Sequence, residues 1–195
     1  MCGIYGYIGS FASFDVIKKL IKLAETRGKK QHGFSYIKNG MLFTYKNTGR
    51  ASRTLSHAKR VEGAQCIIGI AQNNTGRFSG GPQPFTDGES VSVVILDDFS
   101  SYKSLFRNHD RKTPAQINSV ACIERLNRSD ISPSKLHRTL PTHLVLTIQD
   151  NTFYVMNKEL PLYIEELPDG LIFSSRRISE KSKPLFNSFI HHVVK

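Results

Sequence analysis

Cysteine is scarce in this chain. Its three copies, Cys2, Cys66 and Cys122, are too scattered and odd in number for a disulfide framework, and no pair stands at metal-ligand spacing, so no metal site is expected. Long apolar runs are missing too: nothing approaches the roughly 18 consecutive apolar residues that cross a bilayer. The amino terminus has no basic region leading into an apolar stretch and a cleavage site. Together these absences predict a soluble, cytoplasmic protein without membrane contact. Acidic residues are also few, 16 against 27 Lys and Arg, which leaves a net charge of +11. Such an excess favours approach to polyanions by counterion release and long-range attraction. No helix-turn-helix, zinc-finger or RNA-recognition signature accompanies it, so the charge points to non-specific DNA or RNA contact, or to a merely basic surface, rather than to sequence readout.

What is present fits one domain over residues 1–195, long enough for a real core and too short for two ordinary domains. Residues 3–9 are β-branched, aromatic and glycine-rich, as in a buried strand that other backbone approaches closely. Apolar residues at helical spacing predict an amphipathic helix over 15–25, ended at Arg27-Gly28. A hairpin is expected from 34–37 and 41–45, because Asn39-Gly40 suits the positive φ values of a tight turn. Strands are expected at 66–71 and 90–96, helices at 100–107 and 115–126, and a hairpin-rich end at 143–149, 152–157, 162–165 and 171–174. The sum is an α+β domain in which helices cover the faces of antiparallel sheets.

Cys2 lies one residue from the amino terminus. Removal of Met1 would place a thiol and a free α-amine on one residue, a nucleophile with its own base, since an α-amine has a pKa of about 7.7–8.0. From position alone, a buried structural cysteine near a first strand is the simpler reading.

Several separated segments resemble the glutaminase domain of class II glutamine amidotransferases, a group of N-terminal-nucleophile hydrolases. Cys2-Gly3-Ile4 with Gly6 and Gly9 is similar to the family's opening strand, and Arg27-Gly28 with Gly33 to its Arg-Gly turn. Ile68-Gly69 through Thr75-Gly76-Arg77 resembles the strand and loop that read Gly-His-Thr-Arg there. Pro84-Phe85, the strand at 91–95 and Tyr102-Lys103-Ser104-Leu105 resemble the next segment, and Pro161-Leu162-Tyr163 with Gly170 through Arg176 its closing hairpin. The resemblance implies a layered sandwich of antiparallel sheets flanked by helices, and a Cys2 that attacks the side-chain amide of glutamine. Ammonia is released for a separate acceptor or synthase protein, and no cofactor is needed. Arg27 and Gly28 would position the nucleophile, while Gln72, Thr75, Gly76, Asp97 and Asp98 would bind substrate.

Three positions depart from the family's pattern, one of them being Thr113-Pro114, which stands where the family has an acidic ligand for the glutamine amine. Gln72 stands where the family binds the glutamine α-carboxylate with arginine, replacing a charged fork by a neutral amide. Leu96-Asp97-Asp98 stands where the family has the Asn-Gly of its oxyanion hole, and an ionised aspartate donates no hydrogen bond. Three readings stay open: an amidotransferase subunit that feeds ammonia to a nucleotide or nucleic-acid acceptor, an amidohydrolase acting on an amide without an amino-acid carboxylate, and an inactive binding or scaffold module with nucleic-acid affinity.

Overall fold

Alternation along the first strand sets the layers. In the computed structural model, which describes residues 2–73, 83–86, 90–96, 132–139 and 143–194, β1 runs over Cys2–Gly9. Successive side chains of a strand point to opposite faces. Tyr5 and Tyr7 enter a core shared with the first helix, whereas Ile4 and Ile8 enter a second core shared with another sheet.

That helix, α1 (Phe14–Glu25), begins at Ser13, whose hydroxyl accepts from the Val16 N–H. It buries Ile17, Leu20, Ile21 and Ala24 on one face, as the helical spacing predicts. The predicted hairpin forms as β2 (Gln31–Lys38) and β3 (Met41–Thr48), longer at both ends than expected; Asn39 (φ 53°) and Gly40 (φ 73°) supply the turn. A helical connection over 51–61 follows, with 3-10 turns at Ala51–Thr54 and Lys59–Val61 around the one-turn α2 (Leu55–Ala58). Then come β4 (Cys66–Gln72), β5 (Phe85–Thr86), β6 (Val91–Leu96), α3 (Pro133–Thr139), β7 (His143–Gln149), β8 (Thr152–Lys158), β9 (Leu162–Leu167) and β10 (Gly170–Ser174). The 51–61 connection, β5 and α3 were not anticipated, nor were two further strands, β11 (Lys183–Leu185) and β12 (Ser188–Val193). The expected helices at 100–107 and 115–126 lie outside the described residues.

Among the described residues the strands form two antiparallel sheets, ordered β11-β9-β10-β1-β4-β2-β3 and β12-β8-β7-β6-β5. Ile68, Ile70 and Phe173 from the first meet Val93, Leu146 and Val155 from the second. The Phe153 and Phe173 rings, 5.6 Å apart, tie the two together. α1 and the 51–61 connection cover the outer face of the first sheet, and α3 packs on β8 of the second. The result is the antiparallel sandwich with flanking helices that the resemblance implies. No helix among the described residues is long and apolar enough to cross a membrane.

Candidate active site

β1 sits in the middle of its sheet, between β10 and β4; the β10 ladder starts at Tyr5, so Cys2 itself is paired on the β4 side. In register, Cys2 lies opposite Gln72 and Gln72 opposite Gln31, with all three on the face toward the second sheet. Beyond Tyr5, toward Cys2, the ladder with β10 is continued by a side chain: the Ile4 N–H donates to the Ser175 hydroxyl at 3.0 Å, and the Ser175 N–H donates to the Ile4 carbonyl at 2.9 Å. Ser174-Ser175-Arg176-Arg177 is therefore a strand end. Its Arg177 turns back on the Ser179 and Glu180 carbonyls.

The turn after α1 reaches this corner because two glycines let backbone approach backbone. A Cβ on Gly3 would stand 2.4 Å from the Ala24 carbonyl oxygen, and one on Gly28 would stand 2.2 Å from the Ala71 carbonyl carbon. With no side chain in either gap, α1 lies against β1 and the Arg27-Gly28 turn lies on the end of β4. Asn73 then fastens the turn: its side-chain amide donates to the Arg27 carbonyl at 3.1 Å and accepts from the Lys29 N–H at 2.7 Å. Lys30 N–H adds a bond to the Gln72 carbonyl at 3.0 Å.

Four effects act on the Cys2 thiol. Burial pushes its pKa above the ordinary range. The charged amino terminus, a hydrogen bond from the Asn73 backbone N–H and the Arg27 guanidinium pull in the opposite direction without cancelling it. Arg27 Nε is buried and has no hydrogen-bond partner among the described residues. A buried donor of that kind calls for an acceptor. The corner thus assembles a half-buried thiol, a cation and two donors.

Of the expected site residues, Cys2, Arg27, Gly28 and Gln72 meet here. Gln72 is only 3% exposed, and its Oε1 accepts from the Gln83 N–H at 3.0 Å. Its carbonyl end therefore anchors the 83–84 segment, which also closes over Gly33. Thr75, Gly76, Asp97 and Asp98 lie outside the described residues. No group of three or more His, Cys, Asp or Glu able to hold a metal occurs among the described residues. Asn73 was missed from the sequence, where it is one polar residue in the run Gln72-Asn73-Asn74. Nothing local distinguishes it from its neighbours, because its role depends on the 27–29 turn arriving from elsewhere in the fold.

Behind the corner, on the α1 side of β2, lies a directed chain of buried hydrogen bonds. Thr54 Oγ1 donates to the Ala51 carbonyl at 2.6 Å, so it accepts from His32 Nδ1 at 3.0 Å; His32 Nε2 in turn accepts from the Tyr5 hydroxyl at 3.0 Å. Each group uses its proton once, which requires a neutral His32. Burial agrees with that, pushing the His32 pKa down to about 3.

No protein-family model matches the chain. It is 30% identical over 112 residues, 53% of its length, to glutamine–fructose-6-phosphate aminotransferase (isomerizing) of Chlamydia abortus, of which the match covers 18%. Among solved structures, it resembles glutamine phosphoribosylpyrophosphate amidotransferase from B. subtilis (TM-score 0.67, 16% identity) over 89% of this chain and 42% of that one. An allosteric regulatory enzyme of purine biosynthesis is matched over the same shares (TM-score 0.68, 17% identity). The chain therefore spans less than half the length of these relatives. A class II glutamine aminotransferase domain protein from Silicibacter pomeroyi is matched over 97% of this chain and 94% of its own (TM-score 0.62, 11% identity). With its central β1 and two facing antiparallel sheets, the chain has the N-terminal-nucleophile hydrolase-like fold of class II glutamine amidotransferase domains.

Proposed function

We propose that this chain is a glutaminase of the amidotransferase type, with Cys2 as its nucleophile once Met1 is removed. The observation that supports this most strongly is the placement of Cys2 at the start of the central strand, with the Asn73 backbone N–H bonded to its thiol and the Arg27 guanidinium within electrostatic range of it. In the proposed reaction the α-amine of processed Cys2 takes the thiol proton and the sulfur attacks the amide carbon of glutamine. The C–N bond breaks, the nitrogen leaves as ammonia with the proton held by the amine, and a thioester remains. Water then adds to the thioester, releasing glutamate and restoring the thiol. A thiol whose pKa burial has raised stays protonated near neutral pH, so a base at hydrogen-bond distance is what this site needs. Ammonia would pass to an acceptor enzyme, and the basic charge of the chain supports a nucleotide or nucleic acid as acceptor.

Gln72 favours a second reading on one point. Its carbonyl end is taken by the Gln83 N–H, and it lacks the charged fork that suits an amino-acid carboxylate. An amide without a free α-carboxylate would fit such a site. Glutamate release from glutamine, measured on protein lacking Met1 and on Cys2→Ala, separates the two: release that vanishes in Cys2→Ala supports the glutaminase, and Cys2 reactivity without release supports the second substrate class.

A further inference from the structure

Between Glu25 and Glu62 the chain carries nine Lys or Arg and no Asp or Glu. Apart from the Arg27-Gly28 turn, which carries three of the nine, those residues build one place: β2, β3 and the helical connection over 51–61, at one edge of the seven-stranded sheet. Seven of the nine cations are exposed. The same edge is paved with rings. Tyr36 and Phe43, partners across the β2–β3 ladder, stack at 5.1 Å and 20°, and Tyr45 and His57 stack at 4.2 Å and 25°. Phe43 keeps 39% of its surface open and Met41, two residues back along the strand, 58%.

The cations flank the rings. Arg60 lies within electrostatic range of the Tyr36 hydroxyl, and Lys59 precedes it in the same turn. The Arg53 side chain lies along Gly49, just past the end of β3. Among the described residues, β3 is paired only with β2, so it is an edge. Edges that need only protection from aggregation carry charge, proline or a bulge; exposed stacked rings work against that purpose. Rings interleaved with cations suit a different ligand, because every nucleobase has a face that stacks and every phosphate has a charge to neutralise.

We propose that this basic, ring-paved edge docks single-stranded nucleic acid, with bases stacking on Tyr36 and Phe43 and phosphates contacting Arg53, Lys59 and Arg60. The surface adds a partner to the proposed Cys2 chemistry and does not depend on it. The test is fluorescence anisotropy of the whole chain with fluorescein-labelled oligo(U) and oligo(dT) of about 12 nucleotides, with a duplex alongside. With three phosphates neutralised, affinity for the single strands falls roughly twentyfold as salt rises from about 50 to 200 mM. In Lys59→Gln/Arg60→Gln that dependence shrinks to about threefold. Phe43→Leu keeps the apolar bulk, loses the ring and weakens binding about tenfold, whereas Phe43→Trp retains it. Comparison of oligo(U) with oligo(dT) assigns the strand as RNA or DNA. Lys181→Gln/Lys183→Gln, exposed on the opposite edge of the sheet, changes nothing.

Duplex bound as tightly as single strand, Phe43→Leu binding like the parent, or equal weakening from Lys181 and Lys183 overturns the proposal. So does self-association through β3 with no oligonucleotide binding. Cys2→Ala leaves oligonucleotide binding intact, and Phe43→Leu leaves glutamate release intact, so failure of either reading is seen separately.

Discussion

Asn73 binds the Arg27 turn with both ends of its side-chain amide while its backbone N–H donates to the Cys2 sulfur. One residue thus couples Cys2 to the turn that carries the nearby cation. The coupling runs through the fold: the turn is brought by α1, Asn73 by β4 and Cys2 by β1.

Asn73→Ala removes both side-chain bonds and leaves the backbone donor loosely placed. Each such bond contributes about 0.5–1.5 kcal/mol net, so urea denaturation is expected to register a loss of about 1–3 kcal/mol. The pH profile of Cys2 alkylation moves upward, because the N–H that favours the thiolate is no longer held in place. A profile identical to that of the parent protein would detach Asn73 from the thiol.

Gly3→Ala and Gly28→Ala introduce a methyl group into gaps that hold backbone, 2.4 Å from Ala24 and 2.2 Å from Ala71 respectively. Neither neighbour is a flexible side-chain tip, so α1 or the turn must move. Each substitution costs at least about 1–3 kcal/mol. Gly40→Ala, which meets nothing within 4 Å but sits at φ 73°, is a control for backbone strain alone. Equilibrium unfolding of the three variants separates close approach from strain.

His32 titrates at about 3 in the folded protein against 6.5 unfolded, because burial disfavours its charged form. Between those values the unfolded chain binds the extra proton. The stabilisation is therefore complete above pH 6.5 and is lost as pH falls toward 3, by at most about 1.4 kcal/mol per unit. Unfolding free energies of the parent and His32→Gln between pH 7 and about 4 should diverge, with the flatter line belonging to the variant. Parallel lines would mean that His32 is charged in the fold. Tyr5→Phe leaves His32 Nε2 without its donor and costs about 1–3 kcal/mol.

Much of this architecture was legible because local pattern and tertiary demand agreed. α1 reads from its apolar spacing and the β2–β3 turn from Asn39-Gly40, both of which take positive φ (53° and 73°). Cys2 and the Arg27-Gly28 turn were recognisable because their neighbours are glycines at the points of closest approach. β11 and β12 were not legible. Lys183-Pro184-Leu185 contains a proline, which the interior of a sheet excludes and an edge accepts, and Ser188–Val193 is rich in polar residues because it pairs on one side only. Gln72 and Asn73 show the same limit within the site: adjacent amides in the sequence, one is buried against Gln83 and the other clamps Arg27. Only the packed fold distinguishes their tasks.

The central claim is that Cys2, freed of Met1, is the nucleophile for a glutamine side chain. Intact mass and peptide mapping after exposure to 6-diazo-5-oxo-L-norleucine test it most directly. The account predicts a chain lacking Met1 that gains one adduct on Cys2, with Cys66 and Cys122 unmodified and no adduct in Cys2→Ala. A retained Met1 on natively produced protein, or an adduct that persists in Cys2→Ala, would contradict it.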